Sequence, residues 1–255
     1  MSDQESAVLY SVDGAIAHVR LNRPEKRNAL NDELVSGIKN ALNKTRADQT
    51  IRVILLSGEG KDFCSGADLS ALQKIAVASV SDNAEDARSL MELFLLIREL
   101  PVPVIAAVRG RALAGGCGLA SACDLVLAAT SARFGYPEVK IGFVPAMVLA
   151  ILRRNVPEKL AFELLTRGEE INATRALELG LVNQVFEDES FDEDVASYVK
   201  RFEDLSKSAI ALTKTLLYQI DGLSFVEALE AGADVNVIAR LTEDCQRGVA
   251  KFLKK

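Results

Sequence analysis

"PVPVIAAVRGRALAGGCGLASACDLVLA", residues 101–128, sets two nearly unbroken apolar runs, 102–108 and 125–129, on either side of a glycine-rich turn and a short helical stretch. Apolar runs without polar alternation suit strands buried on both faces, and a helix between two of them calls for parallel pairing. The pattern recurs along the chain. "RVILLSG" (52–58) leads through "EGKDFCSGADL" (59–69) into helical segments ending near Glu99. "LVLAA" passes through "FGYPEVKIGFVP" (134–145) into helices of 146–166, and "LVNQVF" (181–186) follows the helix "TRALELG".

The amino-terminal part reads as strand "AVLYSV", a turn at Gly14, strand "AIAHVRL", the loop "NRPEKRNALN" and a helix from about Asp32. Asn31 is placed to cap that helix, and Leu34, Ile38, Ala41 and Leu42 recur at helical spacing. Paired strand signals at 8–12 with 15–21 and at 125–129 with 132–134 indicate repeated β-β-α turns rather than a simple doubly wound sheet. From about Ser190 the strand signal stops, and 191–205, 208–220, 224–241 and 242–255 all read as helices, with Ser224 and Glu227 spaced as a capping box. The expected organisation is α/β, with a core over 1–189 and a helical region over 190–255 that packs on the core or on another chain.

Bulk properties narrow the function. The chain has 255 residues, 49% of them hydrophobic, and a net charge of −6, which disfavours a broad nucleic-acid or anionic-membrane footprint. "MSDQES" lacks the basic start and apolar centre of a secretory leader, and no apolar run reaches the ~20 residues needed to span a bilayer. Cys64, Cys117, Cys123 and Cys245 form no CxxC pair, so they read as reduced thiols of a cytoplasmic protein, and no metal site is expected. His18 is the only histidine and falls in an alternating strand, which removes the usual base of a Ser or Cys nucleophile.

"GCGLAS" (116–121) superficially matches the dinucleotide fingerprint, but Ser121 replaces its last glycine and the next strand ends without a ribose-binding acid. Close helix–strand packing remains the alternative for Gly115, Gly116 and Gly118. "FCSGADL" (63–69) makes a second small-residue turn between strand and helix. Two such turns at the carboxyl ends of adjacent parallel strands can aim two backbone N–H groups at one oxygen, the arrangement that stabilises a developing oxyanion.

"LNRPEKRNALN", "FCSGADL", "PVPVIAAVRGRALAGGCGLASACDLVLA", "FGYPEVKIGFVP" and "ALELGLVNQVF", in this order and spacing, resemble the enoyl-CoA hydratase/isomerase (crotonase) superfamily over essentially the whole chain. The resemblance implies a crotonase-like superhelix of β-β-α turns, a C-terminal all-helical trimerisation region, a homotrimer or homohexamer, and an acyl-CoA thioester as substrate with no separate cofactor. It places the oxyanion hole at the N–H groups of Ala67 and Gly115. It places substrate and CoA contacts at Lys26, Ala29, Ser65, Gly66, Asp68, Leu69, Gly118, Tyr136 and Lys255. Lys26 and Lys255 equally suit solvated surface, and Asp68 a helix N-cap.

Typical hydratases of this superfamily hold water between two glutamates. One matches Glu138 in "FGYPEV", and the other falls at Gly118, which has no side chain. Glu138 is therefore the expected acid/base. One carboxylate suits hydration, 3,2-enoyl isomerisation or decarboxylation of an acyl thioester. "GGCGLASACD" with "PEVKIGFVPA" looks most like bacterial methylglutaconyl-CoA hydratase-type members, so a branched or carboxylated acyl group is expected, with Arg111 or Lys140 as candidate cations, if not solvated or paired locally. A non-catalytic acyl-thioester-binding or RNA-binding member is the reading from another class, disfavoured by Glu138 and by the acidic balance.

Overall fold

The computed structural model describes residues 6–254. The first turn of the chain is β1 (Val8–Asp13), β2 (Ile16–Leu21) and α1 (Asp32–Ala47), the last capped by the Asn31 side chain, which accepts from Leu34 N at 2.9 Å. β3 (Val53–Gly58) is followed by two helices, α2 (Leu69–Val77) and α3 (Val80–Glu99). β4 (Val104–Val108), β5 (Arg111–Leu113) and α4 (Gly115–Ala122) form the next turn. β6 (Leu125–Ala129), β7 (Arg133–Gly135), α5 (Ala146–Asn155) and α6 (Glu158–Arg167) form another. A short strand the sequence did not signal, β8 (Glu170–Asn172), then leads through α7 (Ala173–Glu178) to β9 (Gln184–Phe186).

The large sheet runs β1-β2-β3-β4-β6-β9, with β1 antiparallel to β2 and every later pair parallel. The second strands of the turns build a smaller sheet, β5-β7-β8, and two isolated bridges, Cys64↔Ala112 and Leu30↔Ala67, carry its pattern back to the earlier turns. This is the repeated β-β-α superhelix. Alternate residues explain the unbroken apolar runs: Ile54, Leu56, Val104, Ala106 and Val126 enter the main core, while Val53, Leu55, Ile105 and Leu127 meet Phe191, Val195 and Val199 on the other face. Those last three lie on α8 (Phe191–Lys200), so a helix beyond the last strand covers the sheet's second face.

The remaining helices are α9 (Lys207–Gln219), α10 (Phe225–Leu241), opened by the Ser224/Glu227 capping box, and α11 (Glu243–Phe252). One buried cluster fastens α9 to the core. Lys214 Nζ, 6% exposed, donates to Ile97 O (2.8 Å), Val102 O (3.0 Å) and Asp124 Oδ2 (2.6 Å). Tyr218 donates to Asp124 Oδ1 at 2.7 Å, and Asp124 Oδ2 also accepts from Val104 N at 2.7 Å. Burial pushes the Lys214 ammonium below its ordinary pKa and Asp124 opposes that shift. Among the described residues no helix is long and apolar enough to cross a membrane.

Candidate active site

Two backbone turns meet, one in the loop that follows β3 and one at the carboxyl end of β5. Cys64 N donates to Arg111 O (3.0 Å) and Leu113 N to Cys64 O (2.9 Å), so the 63–69 loop runs beside β5 like a strand. Gly66 then turns away with φ +93°, and a Cβ there would lie 2.8 Å from Ala114 Cβ and 3.0 Å from Leu113 O. Only glycine fits, because both the torsion and the space exclude a side chain. Leu30 N donates to Gly66 O (2.7 Å) and Asp68 N to Leu30 O (2.9 Å). The N–H between them, on exposed Ala67, has no acceptor among the described residues.

The partner turn is strained. Ala114 takes φ +49° and ψ −126°, a region L-residues avoid, at a cost of order 1–3 kcal/mol. It is held from both ends: its N–H donates to Gly135 O at 2.8 Å and its carbonyl accepts from Gly118 N at 2.9 Å. The torsion brings Gly115 in as first residue of α4, where a helix N–H has no intrahelical partner and carries the positive end of the dipole. Gly116 packs under it, since a Cβ there would sit 2.3 Å from Cys64 O. Ala67 and Gly115 thus present two N–H groups without an acceptor among the described residues, from turns in direct contact. Gly66→Ala should cut turnover about 10²–10³-fold by displacing one donor. Steady-state kinetics on a variant shown to be folded by circular dichroism checks this, and wild-type turnover would contradict it.

Glu138 reaches the same end of the smaller sheet. Leu113 pairs with Gly135 in the parallel β5–β7 ladder, so Gly115 and Glu138 leave neighbouring strands in the same direction, two and three residues on. Pro137 starts the 3₁₀ turn Pro137–Ile141 that carries the carboxylate. Glu138 Oε2 is buried and has no hydrogen-bond partner among the described residues. Desolvation pushes the carboxyl pKa above its ordinary value, against a smaller opposing effect of its own backbone hydrogen bond. A buried carboxylate oxygen without a partner costs free energy in a resting protein and is the usual mark of a group kept for reaction.

The loops around this pair are braced by residues that sequence reasoning did not assign. Buried Asn28 accepts from Arg23 N (2.8 Å) and donates to Glu59 O (2.9 Å) and Asp62 O (2.8 Å). Arg23 donates to Ala29 O (2.6 Å) and to Asp68 Oδ2 (2.8 Å), tying the 22–31 loop to the 63–69 turn. Asp68 also caps α2 through Ser70 N, and that bond together with Arg23 holds its carboxyl down to about 2. Its side chain is therefore engaged inward. The one available signal was Asn28 itself, a residue type that tolerates left-handed backbone, here at φ +53°.

The other expected positions fall as follows. Exposed Lys26 and half-buried Ser65 lie on one rim, with Ser65 N on Arg27 O at 3.0 Å, while Ala29 is buried behind them. Leu69 opens α2, and Lys255 lies outside the described residues. Tyr136 is 1% exposed, so it braces the interior instead of lining an open surface: its hydroxyl is 3.2 Å from Ser121 Oγ, which itself donates to Cys117 O at 2.6 Å. Burial pushes the Tyr136 hydroxyl well up. Burial likewise pushes the Cys64 and Cys117 thiols to about 12 and about 11, which leaves them unreactive. Gly118 is buried beneath Val148. Arg111 pairs with Glu170 at 3.4 Å, and the Lys140 chain runs along Gly168.

The family described as enoyl-CoA hydratase/isomerase matches residues 11–255. A Thermus thermophilus relative that carries an enoyl-CoA hydratase name is 39% identical over 242 residues, covering 95% of this chain and 96% of its own. The 2,3-dehydroadipyl-CoA hydratase of Escherichia coli is 32% identical over 252 residues, covering 98% and 96%. Among solved structures, an enoyl-CoA hydratase of Mycobacterium smegmatis superposes with a TM-score of 0.94 at 31% identity, over 98% of this chain and 97% of that one.

Proposed function

The chain belongs to the enoyl-CoA hydratase/isomerase family, and from that premise we propose that it adds water across the double bond of a 2-enoyl-CoA thioester with Glu138 as its one acid–base group. The observation that carries this reading is Glu138 Oε2, buried and without a partner among the described residues, just past the end of the strand neighbouring the one that leads to Gly115. In the proposed reaction the thioester oxygen lies between the Ala67 and Gly115 N–H groups. Glu138 takes a proton from water as the water oxygen bonds to C3, and the π electrons move onto the thioester oxygen. The resulting enolate collapses by taking that proton at C2. Water is consumed and the carboxylate is returned, so no other co-reactant is needed.

For the acyl group we favour a short branched hydrocarbon over a carboxylated chain such as 3-methylglutaconyl. A distal carboxylate would need a cation, and of the two candidates Arg111 is already paired with Glu170. A single carboxylate in apolar surroundings also suits a proton shuttle between C2 and C4, so 3,2-isomerisation is the second reading. Mass-resolved turnover of crotonyl-CoA, 3-methylcrotonyl-CoA, 3-methylglutaconyl-CoA and a 3-enoyl-CoA separates them. A product heavier by one water supports hydration, an isobaric product supports isomerisation, and one lighter by carbon dioxide supports decarboxylation.

The oligomer we propose is a trimer or a pair of trimers. α10 and α11 leave Phe225, Leu229, Leu241 and Phe252 largely exposed, apolar surface that a second copy would cover. The expected particle in light scattering contains three or six chains, and a monomer would contradict it. Four unpaired cysteines fit a cytoplasmic setting.

A further inference from the structure

Gly118 lies three residues past Gly115 and so on its face of α4. Glycine inside a helix is the less stable choice beside alanine, so a bare position there needs a reason. The reason is Val148. A Cβ on Gly118 would lie 2.3 Å from Val148 Cγ1 and 3.3 Å from its Cβ, with Phe94 Cζ at 3.5 Å. Val148 is buried in the first turn of α5, the helix that follows the Glu138 loop. A β-branched side chain in a helix has one strongly preferred χ1, so this methyl does not swing aside.

Resting on the hydration reading, we propose that Val148 is a specificity-determining residue: a methyl plug that keeps position 118 bare and the wall beside the oxyanion donors apolar. No second water-holding or proton-bearing side chain can stand at 118 while Val148 is present. The water is then positioned by Glu138 alone, and an alkyl branch at C3 of the substrate meets methyl groups. A side chain at 118 therefore requires a smaller residue at 148. Phe94, reaching in from α3, closes the notch from the third side.

The test uses Val148→Ala, Gly118→Ala and the double variant, with thermal midpoints and kcat/KM for crotonyl-CoA and 3-methylcrotonyl-CoA. Val148→Ala removes two methyl groups and should change the branched-to-unbranched ratio of kcat/KM by about tenfold or more, since even one lost methylene-sized contact is worth that much discrimination. Gly118→Ala should lower the thermal midpoint and reduce turnover about tenfold through overpacking, and adding Val148→Ala should restore both. An unchanged substrate ratio in Val148→Ala, or a Gly118→Ala variant as stable as wild type, would overturn the proposal. Failure of wild type to add water to either thioester would instead overturn the hydration reading, with the plug still read from recovery of the thermal midpoint in the double variant.

Discussion

Glu138→Gln is expected to lower turnover by about 10²–10⁴-fold, the usual contribution of a positioned acid–base group, with the chain still folded. Gln keeps the shape and volume but can neither take a proton from water nor return it to C2. The same substitution should raise stability at neutral pH. The folded pKa of Glu138 is raised by burial, so the wild type favours the protonated form on folding and loses stability as pH rises through that pKa. Gln has no such loss. The thermal midpoints of the two proteins should therefore converge at acid pH and separate, with Gln higher, as pH rises through the raised pKa. The kcat/KM of the wild type should fall on the acid side with an apparent pKa above that of an ordinary glutamate. Opposite movement of the thermal midpoints would mean that the unpartnered oxygen finds a stabilising partner in solution.

Lys214→Met should be the most destabilising single change away from the site. It leaves Asp124 buried with Tyr218 and Val104 N as its remaining donors, and removes the donor to Ile97 O and Val102 O. Breaking a buried ion pair by removing one partner typically costs about 3–5 kcal/mol. Because Lys214 is on α9 and its acceptors lie on the core, at the end of α3 and just before β4 and β6, the loss should loosen the helical region first. Urea unfolding followed by circular dichroism measures it, and a change within about 0.5 kcal/mol, the range of ordinary surface substitutions, would show that the cluster does not fasten α9.

The parts of the fold legible in the sequence are those dictated locally. The runs at β3, β4 and β6 are unbroken because both faces of the sheet are covered, Ile54 and Leu56 on one side and Val53 and Leu55 on the other. Asn31, Gly66 and the Ser224/Glu227 pair announce themselves because a cap or a left-handed torsion restricts residue type at that position. Lys214 does not, since lysine on an amphipathic helix is ordinarily solvated and its carbonyl acceptors lie more than a hundred residues away. The Ser79 capping box at α3 uses Asp82 instead of the usual glutamate, so the spacing carried no signal there. β8 is three residues long and pairs with β7 only after the superhelix closes. For the site, glycine at 118, and with it a single carboxylate, was plain in the sequence, but what fills the space beside it was not. Only the packed structure puts Val148 in the space and shows that the position is filled from another helix.

In the proposed reaction Glu138 alone moves the proton while Ala67 and Gly115 hold the oxygen. Turnover of 3-methylcrotonyl-CoA and crotonyl-CoA in oxygen-18 water, by wild type and Glu138→Gln side by side, tests it most directly. Heavy oxygen is expected in the product of the wild type and almost none with Gln; equal incorporation by the two proteins would rule out Glu138 as the acid–base group.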